Sequence, residues 1–280
     1  NDVVHPLRMD WLHGILNLIG LLFWILWRAG TMVRPKPANH IVGPAPRQGT
    51  IFKHSWVYLL ALVGLLVLRA VFYHQFGPGL DWIPSLPLLH ESPHFRSDFF
   101  PRALAYSALS FMRWLAALYF CWALLATIKP KADTAKMWRS FLRAQFGWLG
   151  GLPAVILWLV AIMLSVGVHL IEAEWMSRVD VRSESAAFAQ HLPALMALDM
   201  RAAVYLAMGV LILYLLNSFV YFGEQVLWKN VDASGKRLLT PLSCLPLVVG
   251  KVDLAPFLAL GLMYGLSFAL RHTQLAAWLR

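Results

Sequence analysis

The chain has 280 residues, 59% of them hydrophobic and 14% charged, and a formal net charge of +10. With a mean hydropathy of +0.61, this composition excludes a disordered chain and argues against a soluble domain, where about 25% of residues are charged. Period-two alternation of polar and apolar residues is absent, so an outer-membrane β-barrel is not expected either.

What remains is an all-α polytopic membrane protein, because six apolar stretches approach the roughly 20 residues a helix needs to cross about 30 Å of hydrocarbon. The first is Trp11–Trp27. The preceding Asn1–Asp10 lacks the basic region of a cleaved signal, so this stretch is expected to stay as an anchor with its start outside. A loop punctuated by Pro35, Pro37, Pro44 and Pro46 leads to the second, Ser55–Phe76, which carries Arg69 and His74. The segment 77–102 is rich in proline and aromatic residues and is expected to rest on the outer surface. Ala103–Ile128, with Arg113, is the third stretch. After it, Lys136–Leu149 places Met137, Trp138, Phe141, Leu142 and Phe146 among Lys136, Arg139 and Arg143, as an amphipathic helix in the interface would.

The fourth stretch, Leu152–Ile171, ends near His169, and 172–201 forms a second outer segment. The fifth, Ala202–Phe222, holds Asn217, expected to make an interhelical hydrogen bond. Lys236–Val249 is again basic and apolar, but Pro241 and Pro246 forbid a long helix there. Leu254–Leu270 is the sixth, followed by Arg271 and His272. The chain thus divides into hairpins at 1–76, 103–171 and 202–280, joined by the outer segments 77–102 and 172–201.

Charge sets the orientation. Arg28, Arg34, Lys36, Arg47 and Lys53 follow the first stretch without an acid, and Lys129, Lys131, Lys136, Arg139 and Arg143 follow the third beside Asp133 alone. Lys229, Lys236, Arg237 and Lys251 follow the fifth, against Glu224, Asp232 and Asp253. These loops therefore hold 14 of the 24 basic residues and 4 of the 14 acidic ones, leaving ten of each elsewhere. By the positive-inside rule they face the cytoplasm, with both termini outside a bacterial inner membrane. The first partner of such a face is anionic phospholipid, at about 1 kcal/mol per basic residue near the surface, and not nucleic acid. Cys121 and Cys244 offer neither a disulfide framework nor a metal motif.

From Gly235 the chain reads Gly-Lys-Arg-Leu-Leu-Thr-Pro-Leu-Ser-Cys-Leu-Pro-Leu-Val-Val-Gly-Lys-Val-Asp-Leu-Ala-Pro-Phe-Leu. A basic, proline-punctuated loop ends in glycine and is followed by Asp, a small residue and Pro at the start of an apolar helix. In this it resembles the YggT family of small bacterial membrane proteins and their chloroplast counterparts. The matching positions are Arg237, Leu238, Pro241, Pro246, Gly250, Asp253, Ala255 and Pro256, and with Asn217–Tyr221 the resemblance covers about Ala202–Leu270. Ala255 stands where the family usually has Ser, and the second hairpin has Gly151-Leu152-Pro153 at the corresponding entry. The resemblance implies a multi-pass helical protein. Bacterial members are linked to envelope and osmotic-stress physiology, and chloroplast members to haem attachment during cytochrome assembly.

Individual residues suggest chemistry more weakly. Asp253 and Pro256 are read as a structural cap, because a carboxylate at a helix start accepts unsatisfied N–H groups and proline is tolerated in the first turn. His74, His169 and His272 stand near the outer ends of three stretches and are the weak candidates for holding a cofactor such as haem. Arg113, too costly to leave alone in a span, is expected to pair with Asp98, Glu172 or Glu174, or to hold an anionic lipid. Arg113, Lys136, Arg139, Arg143, Lys236 and Arg237 are the expected lipid or partner contacts. With no nucleophile elbow, phosphate-binding loop or zinc motif, neither catalysis nor a metal nor a cofactor is expected.

The expectation is thus a non-catalytic membrane subunit or assembly factor that binds lipids and other integral membrane proteins. The alternatives are a small-solute transporter or channel, if Arg113, Asn217 and the histidines line one cavity, and a haem-handling assembly factor.

Overall fold

A computed structural model describes residues 5–32, 55–77, 99–128, 135–178, 185–220, 225–245, 247–249 and 252–278. The proline-rich loop after the first apolar stretch and most of the first outer segment, including Trp82 and Phe95, lie outside them, as do Pro246, Gly250 and the side chains of Lys136 and Arg139. Among the described residues eight helices occur: α1 (His5–Met32), α2 (Ser55–Phe76), α3 (Phe100–Ile128), α4 (Ala135–Phe146), α5 (Ala154–Arg178), α6 (Ser185–Phe219), α7 (Val226–Leu239) and α8 (Ala255–Trp278). The same residues also form two short 3-10 turns and a two-residue antiparallel pairing of β1 (Val248–Val249) with β2 (Val252–Asp253).

Among the described residues, five helices are long and apolar enough to cross a membrane, over Trp11–Thr31, Ser55–Phe76, Phe100–Ile128, Ala154–Trp175 and Leu192–Phe219. The chain is therefore a membrane protein by length and composition. Its helices turn apolar side chains outward, among them Leu18, Leu22, Leu60, Val155, Leu159 and Met163, each at least half exposed. In water such faces would be a liability; in hydrocarbon they cost nothing. The sixth stretch forms α8, which is helical but not among these five.

The chain divides into two compact units. One contains α1, α2, the start of α3 as far as Phe111, and Ser140–Gly151. Here α1 packs on α2 around buried Leu21, Leu62, Ala70 and Tyr73. The other contains α3 from Met112 onward together with α5, α6, α7 and α8. In it α6 is the shared neighbour, packing on α5, α7 and α8, with Leu211, Leu239 and Ala259 at one buried meeting point.

Three boundaries differ from the sequence reading. Helix α5 runs on to Arg178 and α6 starts at Ser185, so much of 172–201 is helix, and α6 extends about 50 Å at 1.5 Å per residue. Hydropathy marked a span end at Glu172 because carboxylates leave hydrocarbon; the helix continues because that carboxylate has partners inside the protein. Second, α7 occupies nearly half of what reads as a loop, ending at Leu239 just before Pro241 in the turn Thr240–Leu242. Third, part of the apolar stripe of α4 is covered by protein, with Phe141 half-buried. Leu142 and Phe146 are buried, and the helix is tied to α1 by Arg28, which donates to the Gln145 carbonyl at 3.0 Å, and by Gln145 Nε2, which donates to the Ile25 carbonyl.

The turn after α4 depends on glycine. Gly147 has φ 66°, in the left-handed region, and a Cβ on Gly150 would lie 2.6 Å from the Leu142 carbonyl oxygen and 2.8 Å from the Arg143 backbone. Because those are backbone atoms, no side-chain rotation relieves the clash. Gly150→Ala is expected to destabilise the folded protein by about 1–3 kcal/mol, measured as a lower unfolding temperature of the detergent-purified protein. Gly151→Ala, where nothing lies within 4 Å of an added Cβ, is expected to leave that temperature unchanged.

Candidate functional site

In the unit built on α5 and α6, five polar side chains meet inside the candidate spans. Arg113 on α3 makes a fork to Glu172 on α5, Nε to Oε1 at 2.5 Å and Nη2 to Oε2 at 2.8 Å. His169, one turn before Glu172 on the same face, puts Nδ1 3.1 Å from Glu172 Oε2 and Nε2 3.3 Å from Asp199 Oδ2 on α6. The second contact has ion-pair distance without hydrogen-bond geometry. Ser165, one turn earlier on α5, donates to Asp199 Oδ2 at 2.6 Å. Ser165, His169 and Glu172 are fully buried, and Asp199 and Arg113 nearly so.

Helical spacing builds this arrangement. Positions 165, 169 and 172 follow the i, i+4, i+7 pattern of a single helix face, so one stripe of α5 meets Asp199 along one neighbour and Arg113 along another. An isolated charge in a span costs about 2.5–3.5 kcal/mol on insertion scales, whereas here two acids and two bases answer one another across three helices. Of the three acids expected as partners of Arg113, Glu172 is the one seen in this fork, and Asp98 lies outside the described residues. Asp199 and Ser165 were not foreseen. The cue was present in His169 and Glu172 at i, i+3, but the position of Asp199 opposite them depends on how α6 docks.

The other unit buries a different polar cluster. Arg69 on α2 is 2% exposed, and its guanidinium donates to Ser107 Oγ at 2.9 Å, to the Ser107 carbonyl, and to Asn17 Oδ1 at 2.6 Å. That last bond orients the Asn17 amide, whose Nδ2 donates to Ser110 Oγ at 3.2 Å and to His13 Nε2 at 3.1 Å. His13 Nε2 must then accept, which leaves Nδ1 to donate to the Tyr73 hydroxyl at 2.7 Å. Ser107 in turn donates to the Leu66 carbonyl at 2.8 Å. Neutral dipoles therefore solvate this cation. His13 and Asn17, spaced i, i+4, were the legible sign; their partners on α2 and α3 were not.

The segment that carries the family resemblance lies where α6, α7 and α8 meet. Asp253 Oδ1 accepts the Ala255 N–H at 2.8 Å, and Leu254 supplies the carbonyl for the first intrahelical bond of α8, to Leu258 N. The carboxylate thus precedes the cap position by one residue and holds the first helical N–H, while Pro256, with no N–H, needs no acceptor. Lys236 and Arg237 lie in the last turn of α7, where cations favour the helix dipole. Lys236 also donates to Asp232 at 2.8 Å, a bond that holds its ammonium above the ordinary pKa range. A cleft of about 320 Å³ opens here, between Tyr214, Lys236 and Asp253.

The remaining expected residues are scattered. His74 packs edge-on to Phe100 at 6.1 Å, and His272 is exposed beside Phe268 at 4.1 Å. His169 turns both ring nitrogens to carboxylates. No group of three or more His, Cys, Asp or Glu that could hold a metal ion occurs among the described residues. Arg143 and Arg271 are exposed. Asn217 does not make the expected interhelical bond through Oδ1, which is buried without a hydrogen-bond partner among the described residues. No family model, curated protein or solved structure matches the chain.

The network makes a direct prediction about Asp199. Asp199→Ala strands the Ser165 hydroxyl in a buried site, at about 1–3 kcal/mol for the unsatisfied group, and removes the carboxylate that faces His169. Asp199→Asn keeps an acceptor for Ser165. The unfolding temperature in detergent should fall further for Ala than for Asn, and equal values would place Asp199 outside the network.

Proposed function

We propose that this chain is a non-catalytic integral protein of the bacterial inner membrane, an organising or assembly subunit that holds phospholipids and other integral membrane proteins. The observation that carries the reading is the mutual compensation of the buried charges. Arg113, His169, Glu172 and Asp199 are directed at one another, and a network closed in this way fixes helix packing and specifies one arrangement. Exposed apolar helix faces offer contacts for lipid and neighbouring spans. Exposed Arg143 and Trp148 beside α4, and exposed Lys229 and Lys236 on α7, suit an interface with anionic headgroups.

In this proposal α8 is the sixth crossing, about 36 Å long at 1.5 Å per residue, and the three basic loops face the cytoplasm with both termini outside. The resemblance of Ala202–Leu270 to the YggT family supports a related place among envelope-organising proteins. A second reading, proton-coupled solute transport, is favoured by one observation: Glu172 and Asp199 lie within candidate spans beside His169, the kind of residues that carry protons in transporters.

Purification in mild detergent, with mass spectrometry of co-purifying lipids and proteins, tests the first reading. It predicts retained phospholipid and a reproducible set of membrane proteins. Recovery of the bare chain, together with collapse of a pH gradient in proteoliposomes that protein-free liposomes maintain, would favour transport. Orientation is checked with single cysteines in a chain whose Cys121 and Cys244 have been replaced. Cysteines at the exposed positions Ser140 and Ser243 should react with an impermeant thiol reagent only after permeabilisation, and one at Ser183 should react in intact cells. The opposite pattern would reverse the topology.

A further inference from the structure

The cleft between α6, α7 and the start of α8 combines a volume, an apolar wall and paired charges. Its volume, about 320 Å³, sits at the lower end of the range for small-molecule sites, roughly 300–1,000 Å³. That volume suits a polar headgroup but not long chains. Its walls are leucines, Leu239, Leu242 and Leu245, the last about half exposed. Its polar groups are one cation, one anion, a phenol and two hydroxyls: Lys236, Asp253, Tyr214, Thr240 and Ser243.

Among the described residues, each of the charged groups has capacity to spare. Lys236 Nζ carries three N–H donors and gives one to Asp232, which leaves two. Asp253 gives Oδ1 to the Ala255 N–H, which leaves Oδ2. Thr240 and Ser243 line the same space, but their hydroxyl protons already go to the carbonyls of Lys236 and Thr240, so they can only accept. The Tyr214 ring is seated against Gly235, where a Cβ would come within 2.5 Å of the ring, so the glycine allows the aromatic wall to close up.

We propose that this cleft binds the headgroup of a phosphoethanolamine lipid, with the phosphate on Lys236 and the primary ammonium on Asp253. The inference rests on the reading of the chain as a lipid-holding membrane protein and names the lipid class for one site. A free inorganic phosphate would meet Asp253 as a like charge and have nothing to place against the leucines. A purely anionic headgroup would leave Asp253 without a cation. A choline headgroup has no N–H to donate and adds three methyl groups beside a carboxylate. The ethanolamine zwitterion matches one cation and one anion, and its acyl chains leave along the leucine wall toward the hydrocarbon.

The test uses the full chain, delipidated in detergent and titrated with phosphatidylethanolamine, phosphatidylcholine or phosphatidylglycerol of equal acyl length, with bound lipid counted by native mass spectrometry. The wild type should retain the ethanolamine lipid about ten-fold more tightly than the choline lipid, the scale expected for one charge-assisted hydrogen bond. Asp253→Asn keeps an acceptor for the Ala255 N–H and so the helix start, and should abolish that preference. Lys236→Gln should weaken both zwitterionic lipids. Free phosphoethanolamine, without acyl chains, should not displace the lipid at equal concentration.

An equal affinity for all three lipids, or an unchanged preference in Asp253→Asn, overturns the site while leaving the lipid-holding reading intact. Displacement by free phosphoethanolamine overturns it in favour of a soluble ligand. Failure of the wild type to retain any lipid class removes both the site and the reading beneath it.

Discussion

A charge inside a membrane span has to be answered by the protein, and the ion pair between Arg113 and Glu172 is where this chain meets that requirement most directly. Once the guanidinium of α3 is committed to α5, the rest of the α5 face follows from helical geometry. His169 lies beside Glu172 and reaches Asp199, and Ser165 supplies the other donor to that carboxylate. The rotation of α5 and its register against α6 are thereby fixed by polar contacts. The outward faces are left to leucine, valine and methionine, which fit lipid but specify little.

The unit containing α1 and α2 meets the same requirement by other means. Arg69 has Ser107 and Asn17 around it, and the chain of hydrogen bonds continues from Asn17 to His13 and Tyr73. Dipoles replace a counter-ion. The cost of the arrangement is that each member must be held in one orientation, since rotating the Asn17 amide would present a donor to Arg69 and an acceptor to Ser110. Such networks are stable when complete and fail when one member is lost, which gives both units a polar interior that leaves little freedom of packing.

The class of the protein was legible in the sequence because hydropathy is a sum over some 20 residues and tolerates errors at any one of them. The same averaging misplaced the ends of α5 and α6. Glu172, Asp199 and Arg201 read as departures from the membrane, although two of them are buried partners of basic side chains. The partners of Arg113 were narrowed to three acids by position along the chain, and the fork to Glu172 depends on where α5 places that carboxylate. Helix α7 was hidden for a different reason, since its basic and polar residues resemble a loop unless the apolar face toward α6 is known. In α4 the amphipathic pattern was real, but a pattern alone does not say which part of its apolar stripe meets protein; Leu142 and Phe146 do. The Asp253 to Ala255 hydrogen bond was the part of the site closest to the sequence, because a cap is local and needs no tertiary information.

A double-mutant cycle measures directly whether Arg113 and Glu172 act as a pair. Wild type, Arg113→Gln, Glu172→Gln and the double variant would be unfolded by denaturant in the same detergent micelles. Compensated charges predict that each single variant is strongly destabilised and that the double variant loses much less than the sum. The coupling should exceed about 1 kcal/mol, above the roughly 0.6 kcal/mol typical of interhelical hydrogen bonds in membranes. Additive losses, with no coupling between the two positions, would show that each side chain is stabilised independently and would contradict the network as the organising constraint of this fold.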